Sequence, residues 1–377
     1  MFAVRGKRRL AFVLVACFVA VNLTACGLIG VSDLAQADVT QAVETPDMQG
    51  EFIPLFMPQS DESIKPLNAD SLTPSSAVTF PGVNSFVWLP DDQGAAIAGD
   101  QGIAVLPTIA QPGTTIQAMP PEAMQTITST TPSLLNAARV AAVLSWVSNG
   151  MTIQTLDTSA GAVSPVSTQS ATPVTGLTLT PAGDRITYAT FDRQLFTQRP
   201  GDDLNAQQWT LSFWLADLSY SPDASQLAGA DLANFRLYFL DAASGEILRS
   251  LEWTDSATSG LFGIFLSPDW DQAAWVSHGA VQLMNAKDGS AGALLSHPSE
   301  VRAVAWSPDS RLLATGAAAM VENKLEPAVL IWNASSGELL NTLIQTEAVQ
   351  SLSFSPDGLQ LAVLTTDGSL QTWSVSR

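Results

Sequence analysis

Ser307-Pro308-Asp309-Ser310-Arg311-Leu312-Leu313-Ala314-Thr315 and Ser355-Pro356-Asp357-Gly358-Leu359-Gln360-Leu361-Ala362-Val363 are two copies of one short pattern, a Ser-Pro-Asp turn that opens onto an apolar run. Ser221-Pro222-Asp223 and Ser267-Pro268-Asp269 repeat the turn, and weaker copies stand at Thr180-Pro181-Ala182-Gly183, Leu89-Pro90-Asp91-Asp92 and Thr131-Pro132-Ser133. The prolines at 90, 132, 181, 222, 268, 308 and 356 are separated by 42, 49, 41, 46, 40 and 48 residues. In such a turn proline presets φ, and the Asp or Gly that follows supports the bend by side-chain bonding or by positive φ.

Each turn is preceded by alternation. Two residues before the proline stand Trp88, Thr130, Leu179, Tyr220, Leu266, Trp306 and Phe354, and four before it Phe86, Thr128, Leu177, Leu218, Ile264, Val304 and Leu352. A period of two with aromatic and branched residues is a strand with one buried face. A second apolar strand follows the turn, as in Arg185-Ile186-Thr187-Tyr188. A third ends near an aromatic, as in Leu330-Ile331-Trp332 or Leu370-Gln371-Thr372-Trp373. A fourth follows Ser336-Gly337-Glu338 or Ser244-Gly245-Glu246. Four short antiparallel strands recurring every 40 to 50 residues or so make one blade each. The expected fold is therefore all-β, a seven-bladed β-propeller of four-stranded antiparallel blades over residues 64–377. The chain stops on a third strand, and Ile64-Lys65-Pro66-Leu67 is expected to supply the missing outer strand of the last blade, which would close the ring and remove both sheet edges.

These residues resemble the WD40 family: the SPDG turns, Leu330-Ile331-Trp332-Asn333 in place of a Leu-Trp-Asp ending, and Ser-Gly-Glu between third and fourth strands. In that family a His, a Ser or Thr, an Asp and a Trp form a hydrogen-bonded network inside the blade. The resemblance implies such a network at His297, Thr315, Glu326 and Trp332 in the sixth unit, with Glu in the Asp position. The seventh unit keeps Asp367 and Trp373 but lacks the His, and the other units have largely lost the set, so apolar packing is expected to hold them.

The amino terminus carries a different message. Arg5, Lys7, Arg8 and Arg9 precede an apolar run from Leu10 to Val21, the layout of a secretory signal. Leu23-Thr24-Ala25-Cys26 resembles the bacterial lipobox, in which a peptidase cuts between Ala25 and Cys26 and the Cys26 thiol carries a diacylglycerol. Leu10 to Ala25 is short for a membrane span of about 20 residues. Residues 1–25 are thus expected to be a cleaved signal. Residues 26–63, with seven acids and no Lys or Arg between 27 and 63, read as a lipidated cysteine plus flexible acidic tether. The implied location is the bacterial cell membrane or outer membrane, with the domain facing the periplasm or the cell exterior. Of the two cysteines, Cys17 lies in the signal and Cys26 at the cut, so no thiol is left for a disulfide, metal or catalysis. Losing four cations and no acid takes the formal charge from −19 to −23, which disfavours nucleic acid and anionic headgroups as partners.

The sequence offers little chemistry. It has neither GxGxxG nor a Walker-type loop, and two histidines, His278 and His297, are too few for a transition-metal cluster. No catalytic residue, metal or cofactor is expected. Asp202 and Asp203, in a long connection from Arg199 to Phe213, and Trp209, Trp253 and Trp270, outside the strict repeat pattern, are the candidates for facing a ligand; Ala317 to Pro327 is a second long connection. The reading is a monomeric, non-catalytic platform for an envelope protein or an extracellular ligand. A propeller lactonase or hydrolase at the channel mouth, and an assembly factor for outer-membrane proteins, are the alternatives.

Overall fold

The computed structural model describes residues 62–375, with breaks at 80–81, 91–93, 100–101, 107–132, 140, 142, 158–165 and 254–260. By compactness the chain divides into a unit Met1–Ile53, outside the described residues, and a unit Pro54–Arg377. Cys26, Ala25, the signal and most of the tether therefore lie outside what is described.

The turn is the local device from which the second unit is built. Between the first and second strands of each of the seven sheets, a residue donates its backbone N–H to the carbonyl five positions on: Leu89 to Gly94, Ala138 to Val143, Thr180 to Arg185, Ser221 to Gln226, Ser267 to Gln272, Ser307 to Leu312 and Ser355 to Gln360. In the four Ser-Pro-Asp copies the serine Oγ donates to the aspartate two residues later at 2.5–2.7 Å, and accepts the N–H five residues later at 2.9 Å. The hydroxyl thus satisfies groups that a bend leaves without ladder partners. The second of the seven sits at Ala138, not at Thr131-Pro132-Ser133. Ser133 begins a strand, and Thr131 and Pro132 lie outside the described residues. Pro132 misled the reading because a proline can also stand just ahead of a strand, where no ladder donor is needed.

These turns link strands in sequence order. The first sheet holds β2 (Val83–Trp88), β3 (Ala95–Gly99) and β4 (Gly102–Leu106). The second holds β5 (Ser133–Ala137), β6 (Val143–Ser148), β7 (Thr152–Asp157) and β8 (Val166–Gln169), and the third β9 (Val174–Leu179), β10 (Ile186–Thr190), β11 (Gln194–Gln198) and β12 (Gln207–Thr210). The fourth is β13 (Ala216–Tyr220), β14 (Gln226–Asp231), β15 (Arg236–Asp241) and β16 (Ile247–Glu252); the fifth β17 (Leu261–Leu266), β18 (Gln272–Ser277), β19 (Ala280–Asn285) and β20 (Ala291–Ser296). The sixth is β21 (Ala303–Trp306), β22 (Leu312–Val321), β23 (Lys324–Asn333) and β24 (Leu339–Ile344). The last takes β25 (Val349–Phe354), β26 (Leu361–Thr365) and β27 (Ser369–Val375) from the carboxyl end and β1 (Leu72–Thr79) from the amino end. All pairings are antiparallel, as hairpin-linked strands with one-sided turns must be.

β1 lies against β27 with Leu72 opposite Val375 and Thr79 opposite Ser369. The strand that completes the last sheet is thus Leu72–Thr79, which begins five residues beyond the end of the Ile64 to Leu67 segment expected. That earlier segment anchors it instead: Ile64 is buried, its N–H donates to Gly358 O at 2.8 Å, and Asn341 Nδ2 reaches Ala69 O at 2.7 Å.

Neighbouring sheets are joined face to face by apolar clusters, each drawing on two consecutive sheets. Trp146, Leu144 and Ile103 join the second sheet to the first; Ile186, Tyr188 and Ile153 join the third to the second; Trp275, Phe239 and Ala273 join the fifth to the fourth. Phe86, Trp88 and Ile97 of the first sheet pack on Ala362, Leu364 and Leu370 of the last. In three of the sheets an aromatic just before the turn adds a bond toward the preceding sheet: Tyr220 OH meets Thr187 Oγ1 at 2.5 Å, Trp306 Nε1 donates to Phe265 O at 3.0 Å, and Trp88 Nε1 donates to Ser353 O at 3.0 Å. Burying each of these large side chains contributes about 2–3 kcal/mol, which is why apolar packing can hold sheets whose polar networks are absent.

Candidate functional site

The expected polar network exists in part. Trp332 Nε1 donates to Thr315 Oγ1 at 2.9 Å, Thr315 Oγ1 lies 2.8 Å from His297 Nε2, and His297 Nδ1 lies 2.9 Å from Leu295 O. Donor bookkeeping fixes the proton positions: the carbonyl accepts from Nδ1–H, so Nε2 is bare and takes the threonine proton, which leaves the threonine oxygen to accept from the indole. His297 is neutral in this chain, and burial pushes its pKa down to about 4. Glu326 stands apart, opposite Ala319 and four residues along β22 from Thr315. In the last sheet Asp367 is a turn residue that accepts from Thr365 Oγ1 at 2.7 Å and Ser369 N at 3.0 Å. Trp373 has Val363 where the sixth sheet has Thr315, and its buried indole N–H has no acceptor among the described residues.

The residues expected to face a ligand are mostly engaged elsewhere. Trp270 is buried, with positive φ (63°) inside its Ser-Pro-Asp turn and an edge-on contact to Phe239 at 5.6 Å, which corrects the expectation of exposure. Trp253 is half-buried and stacks on Trp275 at 5.6 Å. Trp209 lies over Gly245 so closely that an added methyl there would meet the ring at 2.5 Å. Asp202 and Asp203 occupy a short 3-10 turn, where Asn205 Nδ2 donates to Asp202 at 2.7 Å and Gln198 Nε2 to Asp203 at 2.6 Å. The connection that carries them contains β12, so it is a fourth strand rather than a protruding loop. His278 sits between β18 and β19, exposed, 3.5 Å from Glu300.

What the structure does assemble are two adjoining cavities along the first strand of each sheet. One, of about 430 Å³, is lined by Leu135, Leu177, Asp217, Leu218, Ile264 and Trp306 among others. Its walls are mostly apolar, and the charged side chain among the described lining residues is Asp217, whose backbone has positive φ (47°) at a register shift in β13 and whose Oδ2 accepts from Ile264 N at 3.3 Å. Burial outweighs that bond and lifts the Asp217 pKa to about 6. The second cavity, of about 500 Å³, opens among the turns and is lined by Pro90, Pro222, Pro268, Pro308 and Pro356 with Trp88, Trp306, Phe354 and Arg139. Alternation along β13 selected Leu218 and Tyr220 and passed over Asp217 just before them, and placing the second turn at Pro132 hid Arg139.

An aromatic pair also escaped the sequence reading: Phe191 and Trp214, both exposed, stack at 6.0 Å, and Trp214 Nε1 donates to Phe191 O at 2.6 Å. Among the described residues no three His, Cys, Asp or Glu side chains converge as a metal site would require, and no helix is long and apolar enough to cross a membrane.

The model of the family "WD domain, G-beta repeat" matches residues 290–319 and 337–374, which hold β20 to most of β22 and β24 to most of β27. Periodic tryptophan protein 2 of Arabidopsis thaliana is 38% identical over 82 residues; that stretch is 22% of this chain, and the chain spans 8% of the plant protein's length. Among solved structures, the β-propeller domain of Cps50 (Swd1) from Myceliophteria thermophila superposes with a TM-score of 0.63 at 14% identity, covering 81% of this chain and all of that one. The chain thus carries WD40 repeats on an all-β fold of propeller type.

Proposed function

We propose that the second unit is a closed seven-bladed propeller that works as a non-catalytic protein-interaction platform, receiving a basic side chain of its partner in the cavity at Asp217. Three features support closure: seven sheets among the described residues, apolar clusters that lead from each sheet to the next and from the first to the last, and β1 completing the sheet of β25 to β27. WD40 repeats are in keeping with a role in protein binding.

The observation that carries the site is a carboxylate held in a mostly apolar cavity with a single backbone donor among the described residues. Such a group is under-solvated when ionised, and an ammonium or guanidinium entering the cavity restores what burial removes. Binding must then release protons near pH 6, because the incoming cation pulls the Asp217 pKa back down. Calorimetric titration of arginine- or lysine-containing peptides against norleucine controls, in two buffers of different ionisation enthalpy, tests this. Tighter binding of the basic peptides with proton release, both lost in Asp217→Asn, is the expected result; equal binding of the norleucine peptide sinks the reading.

The lipobox resemblance at Leu23 to Cys26 supports display from a membrane through lipid on Cys26 and solvation of the domain by its net negative charge. Cys26→Ser should move the protein from the detergent-extractable membrane fraction to the soluble one. An unchanged distribution would remove the anchor.

A further inference from the structure

We propose that the mouth cavity around Arg139 is a binding site for a small monocarboxylate with an aromatic or aliphatic body. The proposal is separate from the basic-partner reading, since it uses the other cavity and the opposite charge.

The second residue of the turn is a proline in six of the seven, Pro90, Pro181, Pro222, Pro268, Pro308 and Pro356, and all of these but Pro181 line the cavity. In the Ala138 turn the position is filled by Arg139, the one cation among the described residues lining that cavity. From the second sheet it reaches the turn of the fifth, where its Nη1 donates to Pro268 O at 3.2 Å. A guanidinium has five N–H donors in a fork that matches a carboxylate, so one long bond to a neutral carbonyl leaves most of them available. Among the described residues Arg139 has no ion pair; those formed by other cations are on Arg236, His278, Lys287, Arg302 and Arg311. It is accessible, yet the surrounding protein desolvates it enough to lower its pKa, a setting in which a carboxylate partner is worth more than at an open surface.

The walls choose the rest of the ligand. Trp88 and Trp306 spend their indole N–H groups on backbone carbonyls, so carbon surface joins Phe354 and the prolines around the cavity. Asp269 is on the same wall, but its Oδ1 accepts from Ser267 Oγ at 2.6 Å and Asp271 N at 3.0 Å, within its own turn. Asp223, Asp309 and Asp357 follow the neighbouring prolines, and a rim of that sign disfavours a dianion such as phosphate more than a monoanion. A cavity of about 500 Å³ holds a two-ring body with room to spare.

The test compares 2-naphthoate with 2-naphthalenemethanol, matched in shape and differing in charge, by calorimetric titration of the full chain. Naphthoate should bind at least tenfold more tightly than the alcohol to the wild-type protein, and Arg139→Gln should bring the two within threefold. The proposal is overturned by equal affinities in the wild type, by binding of neither compound at their solubility limits, or by a preference that survives in Arg139→Gln. Should that variant not fold, the wild-type pair decides, because equal affinities alone refute the role of the guanidinium.

Discussion

At the residue scale the chain from Trp332 through Thr315 to His297 and Leu295 shows how one buried hydroxyl serves two neighbours. Thr315→Val keeps the volume and removes both bonds, leaving an indole N–H and an imidazole nitrogen without partners, so a loss of about 2–3 kcal/mol is expected, read as a lowered urea midpoint. The pH dependence has a definite sign. The His297 pKa is about 4 in the folded state against 6.5 in the unfolded, so between those values the unfolded state holds more protons and stability rises with pH. The contribution is complete above 6.5 and lost as pH falls toward 4. The stability difference between wild type and His297→Gln should therefore shrink by on the order of 3 kcal/mol over that window, and a difference independent of pH would show that His297 is not held neutral. Glycines 183 and 358 allow a second comparison. Both have φ of 73°, but an added methyl meets Val143 Cγ2 at 2.9 Å at Gly183 and makes no contact under 3.6 Å at Gly358. Gly358→Ala should cost about 1 kcal/mol from backbone strain alone and Gly183→Ala clearly more, both measured as denaturation midpoints. The network was legible at His297, Thr315 and Trp332 through the WD40 resemblance, whose network residues those positions match. Trp270 was not, since nothing in the sequence marks a tryptophan that takes the left-handed position of a turn where its counterparts are Gly183, Ala224, Ser310 and Gly358.

At the scale of elements the largest departure from expectation is the hairpin β22–β23. The stretch Ala317 to Pro327, read as a loop, continues both strands: Ala317 pairs with Ala328 and Val321 with Lys324, beyond the last partners that β21 and β24 offer. This lengthening is what carries Glu326 out of reach of Thr315, so the family pattern failed at the one residue that depended on the length of the hairpin. Its sequence hid the arm, because Ala317-Ala318-Ala319 has no strand alternation and Glu322-Asn323 is not a strong hairpin pair. Both turn residues nevertheless have positive φ, 48° and 65°, the conformation of a two-residue type I′ turn that favours Asn-Gly. Replacing Glu322-Asn323 by Asn-Gly should stabilise the arm, slowing hydrogen exchange at Ala319 and Val321 severalfold while leaving the amides of β26 unchanged. Faster exchange in the arm would mean that the turn is not of this type. The strand β12 is a parallel case: Gln207-Gln208-Trp209-Thr210 pairs on one side with β11 only, and an outer strand with three exposed or polar positions gives periodicity little to detect.

For the molecule as a whole, the proline spacing made the repeated sheets legible, because each turn needs the same few polar groups in the same places. The strand that joins the two ends was misplaced for a physical reason. Leu72-Thr73-Pro74-Ser75-Ser76-Ala77-Val78-Thr79 borders a sheet, is paired on one side, and tolerates Pro74 at a register shift, so neither alternation nor the absence of proline marks it. Its role makes a prediction about the entire unit. Ala77 stands opposite Gln371, with the register regular on either side of the pair, and opposed residues of an antiparallel ladder lie within the Cα separation that a disulfide spans. In a chain with Cys17→Ser and Cys26→Ser, the pair Ala77→Cys and Gln371→Cys should oxidise in air to a single intramolecular bond, seen as a mobility shift reversed by reductant. Because the bridge closes a loop that includes nearly every sheet, it removes much of the unfolded chain's freedom and should raise stability by up to about 4 kcal/mol, read as a thermal midpoint that falls when reductant is added. The same cysteines moved one position along β27, to Thr372, would face the opposite side of the ladder and should not bridge. If neither pair oxidises, or if only dimers form, the two ends of the chain do not meet in solution, and the sheet of β25 to β27 is left with an open edge.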